Sequence, residues 1–226
     1  MRQRWERLTF LHWSFDPEQV QRVLPAGLHV DTFGGQAWVG LVPFFMHVAL
    51  PDGREVPWAS RFCETNVRTY VRDGEGRAGI WFLSLDAARF GAVAVARTTY
   101  RLPYFWSAMR LSESGPAISY RCRRRLPGPA GARSEADIEI GEPYAPGELS
   151  ERDHFLTARW ILFSVSGSRR RLARACHAPW PLHRARVRWL HDELISAAGL
   201  PVPRTEPLAH YSPGVDVAIG QPERSG

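Results

Sequence analysis

An α+β fold dominated by antiparallel strands is what this sequence predicts, and three features carry that expectation. Runs with two-residue alternation recur along the chain. The cleanest is Phe62 to Val71, where Phe62, Glu64, Asn66, Arg68 and Tyr70 share one face and Cys63, Thr65, Val67, Thr69 and Val71 the other. Turn signals separate these runs, as at Gly34-Gly35 and Asp73-Gly74-Glu75-Gly76. Helical signals are few and short.

Taken in order, Asp16 is a capping residue and Pro17 suits the first helical position, so a helix is expected through Val20 and Val23, ending before Pro25. Val30–Phe33, the Gly34-Gly35 turn and Ala37–Val42 predict a hairpin. Gly79–Leu85, Val93–Tyr100 and Ala117–Arg125 are further strands, the last with a solvated arginine face. Pro127–Ala136, rich in proline and glycine, predicts an exposed loop and the best candidate for disorder. Ser150 with Asp153 resembles a capping box and starts a helix from Glu151 toward Phe163. Ala185–Ala198 is expected to be helical, closed by Gly199 and Pro201, and Val215–Ile219 forms a last strand. No interior linker divides the chain, so residues 1–226 are taken as a single domain.

Composition narrows the chemistry. All 29 basic residues are arginine and none is lysine. An imine with a ketone or aldehyde needs a nucleophilic amine, and a guanidinium stays protonated, so lysine Schiff-base chemistry and pyridoxal phosphate attachment are closed. The formal net charge of +6 raises the question of nucleic acid, yet Arg123–Arg125 and Arg169–Arg171 sit in no recognisable nucleic-acid motif, and no such partner is expected. Cys63, Cys122 and Cys176 lack disulfide or zinc spacing. The charged N-terminus has no apolar segment after it. The longest apolar stretch, Trp38 to Leu50, is too short to span a bilayer, so a cytoplasmic protein without a membrane partner is expected. Nine tryptophans, eleven phenylalanines and six tyrosines supply core, and also the walls of a pocket for an organic ligand.

Three constellations bear chemistry. The Phe62–Tyr70 face mixes a carboxylate, an amide, a guanidinium and two aromatics; it lines a cavity if the sheet curls into a barrel, and is a solvated sheet face otherwise. Arg97 precedes Thr98 through Phe105, where Pro103 sets a bend. His177-Ala178-Pro179-Trp180-Pro181-Leu182-His183 is rigid, but its histidines, like His12, have no third ligand at familiar spacing and are expected to be hydrogen-bonded structural residues. No hydrolase elbow, phosphate-binding loop, dinucleotide fingerprint or metalloprotease motif occurs, so no cofactor or metal is implied.

Leu11-His12-Trp13, Leu24–Leu28, Trp38–Phe44, Glu64–Val71, Trp81–Ala87, Ala96-Arg97, Pro103-Tyr104 and His177–Leu182 together resemble the YqjF-like family of uncharacterised proteins, over nearly the whole chain. That family is similar to the acetoacetate decarboxylase-like superfamily. The resemblance implies a closed, cone-shaped antiparallel β-barrel with a few peripheral helices and an internal ligand cavity. It also implies positions. Glu64 falls on a cavity glutamate of the decarboxylase, Arg97 on its arginine, and Tyr104 and Phe105 on its Schiff-base lysine and the lysine beside it. Arg7 falls near a substrate-binding arginine, and a second cavity glutamate falls near Val39 and is absent.

With nucleophile and activator replaced, imine decarboxylation is not available. The expected function is a β-barrel that encloses a small organic acid or carbonyl compound. Glu64 and Tyr104 are the candidate catalytic pair for a non-covalent acid–base step of lyase, isomerase or hydrolase type. Arg97, Arg68, Asn66, Arg7 and Phe105 are the candidate substrate-binding residues. The alternative is a non-catalytic binding or sensing protein. Superfamily relatives assemble through their barrels, so a homo-oligomer fits as well.

Overall fold

Long strands with both faces apolar need cover on both sides, and the chain provides it by closing one sheet on itself twice. The computed structural model describes residues 2–49, 60–91, 93, 102–166 and 169–224. In chain order the elements are β1 (Arg2–Phe15), α1 (Pro17–Gln21), β2 (Leu28–Val30), β3 (Ala37–Ala49), β4 (Arg61–Asp73), β5 (Ala78–Ala87) and β6 (Tyr104–Ser114). There follow β7 (Ala117–Leu126), β8 (Arg133–Pro143), α2 (Glu151–Thr157), β9 (Ile161–Ser166), β10 (Arg169–Cys176), β11 (His183–Asp192), α3 (Leu194–Ala197), β12 (Leu208–Ile219) and β13 (Glu223–Arg224).

The strands form a 13-stranded sheet that closes a nine-strand ring, β5-β6-β7-β8-β11-β12-β1-β3-β4, through the β4–β5 pairing. Pairing of β10 with β12 closes a second, seven-strand ring, β5-β9-β10-β12-β1-β3-β4. Strands β12, β1, β3, β4 and β5 are common to both and form a shared wall. Most pairings are antiparallel; β5 runs parallel to β6 and β9, which makes the closed barrel mixed.

The nine-strand ring is filled. Leu11, Val39 and Leu41 from the shared wall meet Ile118, Tyr120 and Ile138 from β7 and β8, all buried. Val20 of α1 and Leu194 and Ile195 of α3 join the same cluster. Val39, where the resemblance marked a missing glutamate, belongs to this packed interior. The seven-strand ring is lined by a separate apolar cluster that includes Leu8, Phe44, Phe62, Ala173, Ala175 and Trp180.

Several local expectations hold. Asp16 caps α1 by accepting the Glu18 N–H at 2.7 Å, with Pro17 following. Ser150 and Asp153 form the reciprocal capping box of α2. Others are corrected. β2 pairs with β4, Leu28 opposite Asp73, so the Gly34-Gly35 turn closes only a Phe33–Gln36 bridge rather than a β2–β3 hairpin. Leu28 is anchored by Val71 and Phe163, and that apolar contact decides its partner. The helix after Ser150 stops at Thr157, because Ile161 and Phe163 join β9. Residues 183–192 are a strand, not a helix: Ala185 and Val187 reach the packed interior while Arg186 stays exposed, a period of two. Helix survives there only as Leu194–Ala197. The 127–136 stretch is shorter as a loop than expected, since β8 starts at Arg133 and buries Ala136. Val93 closes a helical turn, its N–H bonding the Arg89 carbonyl at 3.1 Å, and residues 94–100 of the expected strand lie outside the described residues.

Candidate functional site

A cavity of about 360 Å³ occupies the seven-strand ring. Its walls are mostly apolar, with Leu8, Val42, Phe44, Ile80 and Leu162 among them. Into it project the side chains of one β4 face: Phe62, Glu64, Asn66 and Arg68. The alternation that set these residues apart in the sequence therefore points them inward, while Val67 of the other face packs in the nine-strand ring.

Glu64 sits opposite Phe44 on β3 and Ala87 on β5 and is 2% exposed. Tyr104 opens β6, in parallel register with Leu85, whose N–H bonds the Pro103 carbonyl at 3.0 Å. The Tyr104 hydroxyl donates to Glu64 Oε2 at 3.1 Å. Burial pushes the Glu64 carboxyl up to about 8; the Tyr104 hydrogen bond works against this shift, and the nearby Asp86 charge adds to it. At neutral pH Glu64 is mostly protonated but close enough to its midpoint to exchange a proton readily.

Behind Tyr104, on the other face of the β5–β6 junction, is a closed charge cluster. Arg124 Nε and Nη2 donate to the two Asp86 oxygens at 2.9 and 2.6 Å, and the Ser107 hydroxyl donates to Asp86 at 2.7 Å. The guanidinium lies 3.6 Å from the Phe105 ring centroid, and both charged residues are fully buried. A bidentate pair of this kind fixes geometry as well as charge. It ties β7 to β5 at the point where β5 hands Tyr104 to the cavity. The Arg123–Arg125 run is therefore split, with Arg124 inside and its neighbours exposed.

Arg68 and Asn66 are buried and line the cavity. Arg68 Nη2 donates to the Leu156 carbonyl at 3.0 Å, and its guanidinium lies over Phe10 and Tyr70, 5.1 and 5.9 Å from their centroids. Arg68 Nε and Asn66 Oδ1 are buried without a hydrogen-bond partner among the described residues. Arg159 also lines the cavity, but it is paired with Asp31 at 2.9 Å.

Two of the expected binding residues do not reach the cavity. Arg7 has φ +51, and the register of β1 against β3 shifts between Glu6 and Leu11. This bulge, whose Arg7 carbonyl accepts from the Tyr120 hydroxyl at 2.7 Å, aims the side chain at Glu113, 3.2 Å away. Phe105 follows Tyr104 on a strand and so faces Arg124 instead. Arg97 lies outside the described residues.

The structure adds His177 and Trp180, which line the cavity beside Trp5. Trp5 and Trp180 stack at 6.0 Å, His177 lies 4.7 Å from Trp180, and the His177 Nδ1 pairs with the Ala178 carbonyl. The rigid proline-flanked segment was legible; its place at the cavity was not. His12 is buried with Nε2 at 2.7 Å from the Tyr70 hydroxyl, a structural pairing.

This closed mixed barrel with a few peripheral helices has the acetoacetate decarboxylase-like fold, as its likeness to solved structures shows. An acetoacetate decarboxylase-like enzyme from Sphingomonas wittichii RW1 superposes with a TM-score of 0.68 at 14% identity, covering 100% of this chain and 92% of that one. Acetoacetate decarboxylase from Legionella pneumophila gives 0.67 at 13% identity over 100% and 88%. The enduracididine biosynthesis enzyme MppR complexed with pyruvate gives 0.68 at 14% over 99% and 89%. Within that fold the chain belongs to the DUF2071 family, described as an uncharacterized conserved protein, which matches residues 2–216. It is 34% identical to the uncharacterized protein YqjF of Bacillus subtilis (strain 168) over 218 residues, 96% of this chain and 89% of that protein.

Proposed function

We propose that the cavity holds a small organic acid or carbonyl compound and that Glu64 and Tyr104 move a proton on it without a covalent intermediate. The observation that carries this reading is the Tyr104–Glu64 hydrogen bond at 3.1 Å inside the hollow, with Glu64 poised near pH 8. The opening step balances simply. Ionised Glu64 takes the proton from the carbon beside a carbonyl. The C–H electron pair moves toward oxygen, and the Tyr104 hydroxyl hydrogen-bonds to the developing enolate. Returning the proton to a different carbon gives isomerisation, and expulsion of a β-substituent gives lyase chemistry. The same carboxylate acting on water would serve a hydrolase. The absence of lysine excludes a lysine Schiff base from this mechanism. A neighbour complexed with pyruvate supports a ligand of this size in this fold.

The test is deuterium exchange at the carbon next to the carbonyl of oxo acids in D2O, followed by NMR. The wild-type protein is expected to catalyse exchange, with a rate that rises with pH, is half-maximal near pH 8 and levels off above it. Glu64→Gln and Tyr104→Phe are expected to lower that rate by roughly 10²–10⁴-fold, the usual contribution of positioned acid–base groups. Equal exchange in both variants would refute the assignment.

The second reading, a non-catalytic binding or sensing protein, is favoured by the mostly apolar walls. It predicts binding with no exchange in the wild-type protein. Among the described residues no helix is long and apolar enough to cross a membrane; a cytoplasmic location, a single domain and a homo-oligomer remain part of the proposal.

A further inference from the structure

Burying a guanidinium away from water is costly unless a counter-charge accompanies it. The other arginines packed inside this barrel obey that rule. Arg124 is held by Asp86 at 2.6 Å and Arg159 by Asp31 at 2.9 Å. Arg68 is 7% exposed and departs from it. Among the described residues it meets a backbone carbonyl and two aromatic rings, no carboxylate pairs with it, and its Nε has no hydrogen-bond partner. Beside it, one alternation back along β4, Asn66 Oδ1 is also unpartnered among the described residues; as an acceptor it calls for a donor from a ligand, not for an anion. Both side chains face the cavity.

We propose that Arg68 is the carboxylate subsite of this cavity, and that the ligand is an elongated mono-acid whose reacting carbonyl lies several carbons from its carboxylate. This rests on the reading of Glu64 and Tyr104 as the reacting end. Arg159, which also lines the cavity, is already paired with Asp31, so among the described guanidinium groups there Arg68 is the one left to match a single negative charge. The length follows from the strand. Four residues at about 3.3 Å each put the Arg68 and Glu64 backbones roughly 13 Å apart. The Arg68 side chain does not close that gap, because its guanidinium is drawn toward Tyr70 and the Leu156 carbonyl, away from Glu64. A β-keto acid has one carbon between carboxylate and carbonyl and cannot touch both ends. Between them lie Val42, Phe44 and Leu8, apolar surface suited to a methylene chain. The volume of about 360 Å³ accommodates such a molecule.

The experiment is a calorimetric or NMR titration of wild-type protein with 7-oxooctanoate, its methyl ester, acetoacetate and hexyl phosphate. 7-Oxooctanoate is expected to bind at least tenfold more tightly than its ester, the effect of one hydrogen bond to a charged group, and more tightly than acetoacetate. Arg68→Gln is expected to erase the acid–ester difference, whereas Glu64→Gln keeps it. Because the acid–ester comparison is made first on unaltered protein, it decides the matter even if Arg68→Gln does not fold. Equal binding of acid and ester removes the subsite. Tighter binding of acetoacetate removes the length assignment, and tighter binding of hexyl phosphate removes the carboxylate. Loss of exchange in Glu64→Gln with no acid–ester difference would leave the proton-transfer reading standing and this one refuted. The reverse pattern would refute the former, and the length assignment with it, and leave the Arg68 subsite standing.

Discussion

The two rings of this barrel share five strands, yet one interior is solid and the other hollow. Across the nine-strand ring, branched side chains of the shared wall such as Leu11, Leu41 and Val67 meet Ile118 and Ile138 from the facing strands, and the space is consumed. Across the seven-strand ring, the same wall presents Val42, Phe44 and Glu64, but β10 answers with Ala173 and Ala175. Short side chains on the closing strand leave the volume open. The hollow is thus a property of what faces the wall rather than of the wall itself. Buried polar groups on the filled side, such as Asp86 with Arg124 and Thr9 with Tyr120, satisfy one another, whereas Arg68 Nε and Asn66 Oδ1 in the hollow have no partner among the described residues.

The largest break in this arrangement is expected at the seam. Asp86 and Arg124 are both buried where the rings divide at β5. Arg124→Met leaves the Asp86 charge uncompensated and should cost about 3–5 kcal/mol in chemical denaturation, much of it recovered when Asp86→Leu is added. A double variant no more stable than the single one would show that the pair does not act as a charge clamp.

Glu64 gives the next effect, and its sign is unusual. Its folded-state midpoint of about 8 lies above the ordinary 4.5, so the native protein holds this proton more tightly than the unfolded chain. That stability is fully present below about pH 4.5 and is lost as pH rises toward 8. The full loss from this group is on the order of 5 kcal/mol. Glu64→Gln should flatten the corresponding fall in stability between pH 5 and 8; a fall that persists unchanged would place the titration elsewhere.

A matched pair of truncations tests the solid against the hollow. Ile138 is buried in the packed ring, and Ile80 lines the cavity. Ile138→Ala opens a new void and should cost about 2–5 kcal/mol. Ile80→Ala merely enlarges an existing one and should cost less than half as much by urea denaturation. Equal costs would mean that the cavity wall is as tightly supported as the core.

Much of this division was legible in the sequence, and for a reason. The Phe62–Val71 alternation carried its polar residues on one face, so once the barrel closed, Glu64, Asn66 and Arg68 had to share a side. What was not legible depends on register and closure. The Asp86–Arg124 bond joins residues 38 apart through a strand, β6, that had not been assigned from sequence. Arg7 was lost to a bulge that no local signal announces. The strand at 183–192 did carry a signal, Ala185 and Val187 alternating with arginines, but the alanine- and leucine-containing stretch beyond it favoured helix. That Arg68 has no counter-charge among the described residues is a fact about everything around it, and one strand's sequence cannot contain it.

The smallest expected change in stability makes the sharpest distinction. Ala175 is 1% exposed, lies on β10 and borders the cavity. Ala175→Leu places three further carbons where the closing strand now leaves room. In a packed interior such an insertion typically costs 1–3 kcal/mol through displaced neighbours. Here the added methyls enter empty space and gain burial at about 0.8 kcal/mol per carbon, so the change in stability should be near zero or favourable. Binding of 7-oxooctanoate should fall sharply in the same protein, because the occupant and the new side chain compete for one volume. A variant that is destabilised yet still binds would mean that this part of β10 packs against the wall rather than facing a hollow, and the contrast between the two rings would fail at the residue on which it most depends.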